Sequence, residues 1–291
     1  MCELNLDLHV PERATILTVR TLSATEKLFK IELNSGEELG HKPGQFLELT
    51  IPNIGMAPIS IASSPTDKEW FELGVRAIAG GNVTPALHRM QAGDTVFVSK
   101  PMGNGFPVDE LTGKDLILVA GGIGLFPLRS LIRYVRANRP DFGVNRNGTD
   151  LGNVTILFGS KNPEERLLPE EISMWKRDSS IDFYETVDIG NESWKGNVGL
   201  ITKLFSNMQN VEGRVQKVDA PNTRAVVIGP DVMFKFVTME LVKLGVSKDH
   251  IFASTERKMS CGLGFCRNCL LPNGKRACVD GPVFSASELC F

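Results

Sequence analysis

Short apolar runs separated by turn residues fill the first hundred positions of the chain, a pattern typical of β-strands. The pattern is clearest at residues 27–33, where apolar side chains occupy nearly every second position between charged ones. Turns such as Lys42-Pro43-Gly44 punctuate the runs. The predicted strands cover residues 14–20, 27–33, 45–51, 70–77 and 95–99. Closely spaced strands with such turns predict a small antiparallel β-barrel.

From about residue 109 the pattern changes to buried strands that alternate with helices. Residues 115–119 form a continuous apolar run, as expected of a strand that is covered on both faces. Further strands are predicted at residues 154–158, 181–187 and 225–228, and helices at residues 126–138, 163–177, 198–208 and 231–244. Such alternation predicts a parallel sheet with crossover helices. Two polar stretches, residues 139–153 and 207–223, are interpreted as surface insertions.

Composition and charge exclude several classes of protein. The 291 residues carry a net charge of −2, which gives no reason to expect a nucleic-acid or anionic-membrane partner. Residues 1–13 contain three acidic side chains and no apolar block, so they do not form a signal peptide. The most apolar run, residues 116–128, is too short to span a bilayer. We therefore expect a cytoplasmic protein without a membrane span.

Five of the six cysteines lie in the last 31 residues. Four of them follow a C-x4-C-x2-C-x8-C spacing, whose first part matches plant-type [2Fe–2S] sites. Gly262 and Gly264 allow the loop to wrap closely, so that backbone N–H groups point at the sulfurs. The predicted metal ligands are Cys261, Cys266, Cys269 and Cys278.

A structural zinc site is the alternative, because four thiolates also suit zinc. Zinc ribbons usually contain two C-x2-C pairs, whereas this segment contains one. Cys2 and Cys290 lie outside the spacing and are interpreted as terminal cysteines without a role in the site. The tail has few long apolar runs, and we expect bound metal to hold it. The predicted domains are a barrel at residues 9–108, an α/β domain at residues 109–250 and a cluster-binding segment at residues 251–291.

Two glycine-rich turns follow buried strands of the α/β part. Gly121, Gly122 and Gly124 separate the apolar run 116–120 from a predicted helix, and the N-terminus of a helix favours phosphate. Gly229-Pro230 repeats the arrangement after the strand at residues 225–228. Either turn alone is as consistent with an ordinary ligand-free connection. Together they favour a cofactor crevice at one edge of the sheet.

The order of motifs along the chain resembles the ferredoxin–NADP reductase superfamily. The motifs that carry the resemblance lie at residues 43–46, 57–61, 80–84, 103–106, 121–127 and 229–233. Residues 256–262 and 280–284 narrow it to one branch. That branch contains the dihydroorotate dehydrogenase electron-transfer subunit, sulfhydrogenase gamma subunits, the B chain of anaerobic sulfite reductase and the flavin subunits that feed heterodisulfide reductases. Residues 25–29 and 105–110 most resemble the sulfhydrogenase gamma type.

The resemblance implies binding residues for two cofactors. FAD would lie in the barrel cleft, with Ser60 near the flavin N5 and a cradle of backbone N–H groups at the pyrophosphate. The implied FAD-binding residues are Pro58, Ile59, Ser60, Ile61, Gly81, Asn82, Val83 and Thr84. The residues expected at NAD(P) are Gly121, Gly122, Gly124, Gly159, Ser160, Gly229, Pro230 and Met233.

The chain departs from the family pattern at three positions. Ala57 replaces the arginine that commonly pairs with the flavin phosphate, and Ile59 replaces an aromatic residue. Either FAD is held more loosely, or a basic residue such as Arg76 or Arg89 compensates. Ile228 replaces a cysteine that usually lies beside the nicotinamide. Hydride transfer does not require that thiol, because positioning supplies the rate.

The resemblance further implies an electron-transfer subunit of a larger redox complex. Electrons would pass between NAD(P)H and FAD as a hydride, and singly through the [2Fe–2S] cluster to a hydrogenase, heterodisulfide-reductase-like or dehydrogenase partner. No general acid or base is needed, and the four scattered histidines are interpreted as structural or surface residues. Lys161 or Arg166 would meet a 2′-phosphate if the nucleotide were NADP; otherwise both belong to a solvated face.

Two rival functions remain open from the sequence. A free-standing NAD(P)H:ferredoxin-type reductase would share the flavin and cluster sites but would need no tight partner. A zinc-stabilised, redox-inactive binding module on a reductase scaffold would lack bound flavin, an idea supported only by Ala57. Purification as a monomer and not as part of a complex would favour the free-standing reductase. A colourless protein would favour the binding module.

Overall fold

The computed structural model describes residues 10–138, 152–211, 214–215 and 218–289. Its first sheet has six antiparallel strands in the spatial order β4-β3-β6-β1-β2-β5. These strands are β1 (Glu12–Thr21), β2 (Glu26–Leu33), β3 (Phe46–Ile51), β4 (Gly55–Ser60), β5 (Phe71–Arg76) and β6 (Thr95–Val98). A bridge between Ile61 and Leu73 joins the two edges, so the sheet is a nearly closed barrel. Helix α1 (Val83–Leu87) covers one end, and α2 (Val108–Leu111) follows the barrel.

Strand β4 is the element of the barrel that the sequence analysis missed. It carries Pro58, which lacks a backbone N–H and lowers the strand propensity of the segment. Proline is tolerated there because β4 lies at the edge of the sheet and pairs only with β3. The other five predicted strands are present within two residues of their predicted ends.

The second sheet has seven strands in the order β10-β9-β8-β7-β13-β14-β15. All pairs are parallel except the last, in which β15 runs antiparallel to β14. Its strands are β7 (Asp115–Gly121), β8 (Val154–Ser160), β9 (Ile181–Val187), β10 (Asn197–Val198), β13 (Thr223–Ile228), β14 (Ile251–Ser254) and β15 (Val283–Ser285). The helices are α3 (Leu125–Ala137), α4 (Pro169–Arg177), α5 (Leu204–Gln209) and α6 (Asp231–Lys243). A barrel followed by a parallel-sheet domain confirms the predicted fold class.

Two predicted helices are wrong in extent. The segment 163–177 begins with a 3₁₀ turn (Pro163–Glu165), and α4 starts only after Leu168, which adopts a left-handed φ of 51°. The segment 198–208 contributes the end of β10 and a 3₁₀ turn before α5. Of the predicted insertions, residues 139–151 lie outside the described ranges. Within the other, β11 (Asn210–Val211) and β12 (Arg214–Val215) form a separate two-stranded sheet.

Helix α3 packs directly against the barrel. A Cβ atom added to Gly74 of β5 would lie 2.2 Å from the ring of Phe126, so only glycine allows this approach. Leu28 and Phe106 from the barrel side belong to the same buried apolar cluster as Phe126 and the strands of the second sheet. The two sheets therefore share one continuous core at their boundary.

A buried arginine crosses the same boundary. Arg129 of α3 is 2% exposed, and its guanidinium lies 2.7 Å from Glu72 of β5 and 2.8 Å from Glu171 of α4. It also donates a hydrogen bond of 2.9 Å to the carbonyl of Ala62. Burial opposes the charged form of Arg129, but Glu171 and Glu72 outweigh it and raise its pKa. The group is therefore a fully charged and fully paired link between barrel, α3 and α4.

The C-terminal segment is attached to both sheets. Strand β15 pairs with β14, where Val283 faces Ser254. On the barrel side, the amide of Asn104 donates 2.7 Å to the carbonyl of Val283 and its Oδ1 accepts from the N–H of Val283 at 3.1 Å. Gly103 lies so close to Pro282 that an added Cβ would be 2.6 Å from the proline ring. The tail is thus anchored at its end although it has little core of its own.

None of the helices in the described ranges is both long and apolar enough to cross a membrane.

The buried arginine gives a test of the domain interface. We expect Arg129→Ala to lower the free energy of unfolding by about 3 kcal/mol, because it removes the buried guanidinium that neutralises Glu72 and Glu171 and leaves only Arg133, 3.3 Å from Glu72, in its place. Urea denaturation of the flavin-loaded protein would measure the change. Arg136→Ala is the control, since Arg136 of the same helix is more exposed and, among the described residues, bonds only Asp178 at 3.1 Å; its loss should cost about 1 kcal/mol or less. Equal effects of the two changes would contradict this role.

Candidate functional site

A cavity of about 320 Å³ opens along the seam between the barrel and the second sheet. Strand β4 contributes Pro58, Ile59 and Ser60 to one wall, and Ile123 and Phe126 line the other. Among the described residues, no hydrogen bond engages the hydroxyl of Ser60, which is available to a bound ligand. A long cleft with apolar walls and few polar groups suits a flat aromatic ring system.

The other residues predicted at this cofactor lie at the end of the cavity or in the barrel core. The Thr84 hydroxyl lines the cavity and accepts a 3.0 Å hydrogen bond from the N–H of Ile78, while Gly81 donates its N–H to the Ile78 carbonyl. Asn82 precedes α1, whose first amides lack acceptors within the helix. The side chains of Ile61 and Val83 are buried in the core of the barrel. Their contribution to a ligand site is therefore limited to the backbone.

Two arginines, Arg76 and Arg257, line this cavity. Arg76 lines it and donates through Nε to the carboxylate of Glu26, which is fully buried. Burial opposes ionisation of Glu26, but hydrogen bonds from Ser23 and Arg76 outweigh it and lower its pKa. Arg89 is exposed and does not line the cavity. Of the two arginines considered as a replacement for the missing arginine at position 57, only Arg76 is in place.

A second cavity, of about 510 Å³, lies at the carboxyl ends of the parallel strands. The predicted turns line it: Gly121 and Gly122, Gly159 and Ser160, Gly229 and Pro230, with Met233 above them. A Cβ on Gly121 would lie 2.7 Å from the Met233 sulfur, and one on Gly229 would lie 2.4 Å from its methyl carbon. Gly124 packs instead against the Ile228 carbonyl, with an added Cβ 2.6 Å away. This edge of the sheet is where open α/β folds bind nucleotides.

The charges in the second cavity are mostly acidic. Glu165 and Asp188 line it together with Lys161. Burial raises the pKa of Asp188, and among the described residues its carboxylate has no hydrogen-bond or ion-pair partner. Arg166 does not line the cavity, because its guanidinium is paired with the buried Glu185 at 2.7 Å. Lys161 is therefore the only one of the two predicted phosphate contacts that faces this cavity.

The two cavities meet. Three residues line both of them: Arg76 at the end of β5, Ile123 in the first glycine turn and Glu256 just beyond β14. A ligand in one cavity would therefore be in direct reach of a ligand in the other.

The four predicted cysteine ligands are arranged as two pairs. The sulfurs of Cys269 and Cys278 are 3.1 Å apart, and both residues are almost fully buried, at 1% and 2% exposure. Cys261 accepts a hydrogen bond from the N–H of Cys266 at 3.4 Å, and Cys266 is exposed. Within the described ranges no three His, Cys, Asp or Glu side chains converge on a single metal position. A [2Fe–2S] cluster takes two protein ligands on each iron, which fits a pair-wise set.

The electrostatics of the loop favour thiolates at its exposed end. Burial opposes ionisation of Cys261, but N–H groups of Cys266, Leu263 and Phe265 outweigh it and lower its pKa to about 7. Burial and the neighbouring Cys269 raise the pKa of Cys278 to about 12. Two thiols held in contact repel each other as thiolates, and a bound cation removes that cost. The donor set therefore fits an iron–sulfur cluster.

The cysteine loop packs on the wall of the first cavity. Cys269 and Cys278 share a small apolar cluster with Phe46 and Met102 of the barrel, and Met259 packs against it. Phe46 and Met259 also line the first cavity. The side chains of Phe46 and Met259 therefore separate the first cavity from the buried pair of cysteines.

Four residues at these sites were not identified from the sequence. Phe46, Glu256 and Met259 lie within motifs that carried the resemblance, but nothing in a single sequence distinguishes their roles from structural ones. Asp188 acquires its position only through the fold, because a hydrogen bond of 2.9 Å from its N–H to the Ser160 carbonyl holds it at the cavity.

Comparison with known families matches the three parts of the chain in turn. Residues 13–106 match the oxidoreductase FAD-binding domain, and residues 118–239 match the oxidoreductase NAD-binding domain. Residues 256–290 match the iron–sulfur cluster binding domain of dihydroorotate dehydrogenase B. FAD, a nicotinamide nucleotide and an iron–sulfur cluster are therefore confirmed as the cofactors, while the contact residues and the domain boundaries given above stay predictions.

Individual relatives extend over nearly the whole chain. The gamma subunit of sulfhydrogenase 1 from Pyrococcus furiosus is 37% identical over 291 residues, which is 95% of this chain and 91% of the relative. A probable dihydroorotate dehydrogenase B electron transfer subunit from Methanocella arvoryzae is 29% identical, over 96% of this chain and 92% of the relative. The solved NADH-dependent reduced ferredoxin-NADP oxidoreductase shares the fold, with a TM-score of 0.72 at 23% identity over 100% of this chain and 91% of that one.

The cysteine set is tested by its metal. We expect anaerobically purified, dithionite-reduced protein to give a low-temperature S = 1/2 EPR signal and to contain about two irons per chain. Cys266→Ser should abolish the signal, because it removes one of the two ligands of one iron. Cys290→Ser, which lies outside the spacing, is the matched control and should keep it. An EPR-silent protein that contains zinc would instead support the redox-inactive binding module.

Proposed function

The chain belongs to the ferredoxin reductase superfamily, with the sulfhydrogenase gamma and dihydroorotate dehydrogenase B electron transfer subunits among its relatives, and we propose that it carries electrons between NADH and a hydrogenase-like partner subunit. It is an electron-transfer subunit of an oxidoreductase complex that uses FAD and an iron–sulfur cluster. We propose the identity of the nucleotide, the kind of partner and the residues that hold each cofactor. The cytoplasmic location also stays a prediction.

One observation supports the proposed order of transfer. The nucleotide cavity adjoins the flavin cavity at Arg76, Ile123 and Glu256, and the flavin cavity adjoins the cysteine loop at Phe46 and Met259. The three sites therefore form a single row, with the flavin site in the middle. A carrier that accepts electron pairs at one end and releases single electrons at the other needs this order.

The residues of the flavin cavity hold FAD in position and do not themselves react. We assign Ile59 and Phe126 to the two faces of the cleft and the Ser60 hydroxyl to a hydrogen bond near the reacting edge. The amides at the start of α1 would bind the pyrophosphate, and Arg76 supplies the positive charge that Ala57 cannot. Bound FAD supplies the conversion between two-electron and one-electron transfer. The residues orient it and exclude water from the junction.

The cysteine loop provides the exit. Cys269 and Cys278 face the barrel and are shielded from water, whereas Cys266 and the neighbouring Phe265, 62% exposed, face outward. Backbone N–H groups directed at Cys261 would tune the potential of a bound cluster. A cluster held in this way is reached from the flavin on one side and from a partner subunit on the other.

The acidic character of the nucleotide cavity supports NADH over NADPH. Asp188 lies at the end of β9, next to Ser160 at the end of β8, and within the described ranges its carboxylate has no partner. A carboxylate accepts hydrogen bonds from the ribose hydroxyls of NADH but repels a 2′-phosphate. Glu165 adds to the repulsion, and Lys161 is the only cation in the described lining besides Arg76 at the opposite end.

Nucleotide choice is tested by steady-state kinetics with an artificial acceptor. The wild-type protein should show a higher kcat/KM for NADH than for NADPH. Asp188→Ser should lower the value for NADH about tenfold to hundredfold, since a hydrogen bond to a charged group is worth about 1.5–3 kcal/mol. Lys161→Ala should change NADH turnover little. A preference for NADPH that Lys161→Ala removes would reverse the assignment.

The electron path is tested by anaerobic titration of the purified protein with NADH. Flavin absorbance should bleach first, and the cluster EPR signal should then appear without any added mediator. Cys266→Ser should still bleach with NADH, because hydride transfer precedes the cluster, but should give no EPR signal. Failure of NADH to bleach the flavin in the wild-type protein would refute the proposed direction of entry.

A further inference from the structure

One carboxylate at the junction of the two cavities has no role in the transfer described so far. Glu256 is one of the three residues that line both cavities, and it is the only acidic one of them. Its backbone carbonyl accepts from Arg257, but among the described residues no hydrogen bond or ion pair engages its carboxylate oxygens. A negative charge is therefore held, without a direct partner, where the two bound rings would meet.

The nearby cations are already occupied. Arg76 is bonded to the buried Glu26, and Arg257 donates to Asp231 at 2.7 Å. Glu256 is exposed at the opening of the cavities, but the surrounding walls desolvate it and raise its pKa; Arg76 opposes that rise and Asp231 adds to it. The other charged groups that face the nucleotide cavity are Lys161, Glu165 and Asp188. Among the described residues no cation forms an ion pair with Glu256, and Arg76 acts on it only through its field.

Oxidation of a nicotinamide changes the charge of its ring. The ring of NADH is neutral; when it gives a hydride, which is two electrons and one hydrogen nucleus, to the flavin, the ring of NAD⁺ carries one positive charge. That hydride has to cross the junction, because only there do the two cavities meet. A carboxylate at this point attracts the oxidised ring and is indifferent to the reduced one.

We propose that Glu256 sets the relative affinity of the protein for oxidised and reduced nicotinamide by stabilising the positively charged ring. The inference rests on the proposed function, since it requires that a nicotinamide occupies the second cavity. Because the charge appears only as the hydride leaves, Glu256 favours transfer toward the flavin. Glu256 distinguishes NAD⁺ from NADH, whereas Asp188 distinguishes NADH from NADPH.

The proposal is tested with two ligands of nearly the same shape. The ligands are NAD⁺ and 1,4,5,6-tetrahydro-NADH, whose ring is neutral and cannot give a hydride, and the measurement is calorimetric titration of the oxidised holoprotein near neutral pH. Glu256→Gln should weaken NAD⁺ binding about tenfold, or about 1.4 kcal/mol. Binding of the tetrahydro analogue should change by less than about twofold. The flavin spectrum of the variant confirms that it is folded and loaded.

Two controls separate a charge effect from a structural one. Glu165→Gln removes a carboxylate that lines only the nucleotide cavity, and it should shift both affinities by the same factor. In the wild-type protein the preference for NAD⁺ over the analogue should fall as the pH is lowered through the raised pKa of Glu256, and Glu256→Gln should abolish that dependence. Asp188 also titrates, but it faces a part of the ligand that both molecules share, so it cancels in the ratio.

The outcomes are distinct. Equal weakening of both ligands by Glu256→Gln, or no weakening of either, would overturn the role of Glu256 and leave the nicotinamide site in place. If the wild-type protein binds neither ligand, the nicotinamide part of the proposed function fails, and this inference fails with it.

Discussion

The buried guanidinium of Arg129 is the constraint on which the geometry of the sites depends. It is almost completely buried and joins carboxylates from two different parts of the chain, Glu72 of the barrel and Glu171 of α4. An ion pair of this kind adds little net stability compared with apolar packing, but a shift of the joined elements relative to one another would break it. Phe126 against Gly74 supplies the apolar half of the same contact. These two interactions hold α3 against the barrel beside the cleft between the two sheets.

A fixed cleft explains why the machinery of transfer contains so few reactive side chains. Both cavities are built largely from backbone turns, apolar side chains and glycines that allow Met233 and the cofactors to approach. Chemistry that depends on distance between two bound rings requires rigid walls more than acids or bases. Charged groups that line the cavities, among them Arg76, Asp188 and Glu256, act through their electric field and through hydrogen bonds.

Much of this arrangement is readable from the sequence, and the limit has a physical cause. Alternation of apolar positions predicted five of six barrel strands, and the cysteine spacing identified the tail, because both signals are local. Strand β4 was missed because Pro58 makes an edge strand look like a loop. Asp188 and Glu256 were missed as site residues because the fold brings them together from elements that are far apart in the chain. The spacing of residues along the sequence does not reveal such proximity. The ion pair of Arg166 with Glu185 likewise removed one of the two residues that the sequence offered as contacts for a 2′-phosphate.

The pairing of Ser254 with Val283 makes the cluster-binding segment a closed loop rather than a free tail. Residues 255–282 leave the sheet at β14 and return to it at β15. The pairing of these two strands offsets the entropy that is lost when the ends of the loop are brought together. Both ends of the loop are held by the sheet without the help of the cysteines, so we expect iron to enter a tethered loop through its exposed Cys266 side. Loss of the iron should then be a local event that leaves the two larger domains folded.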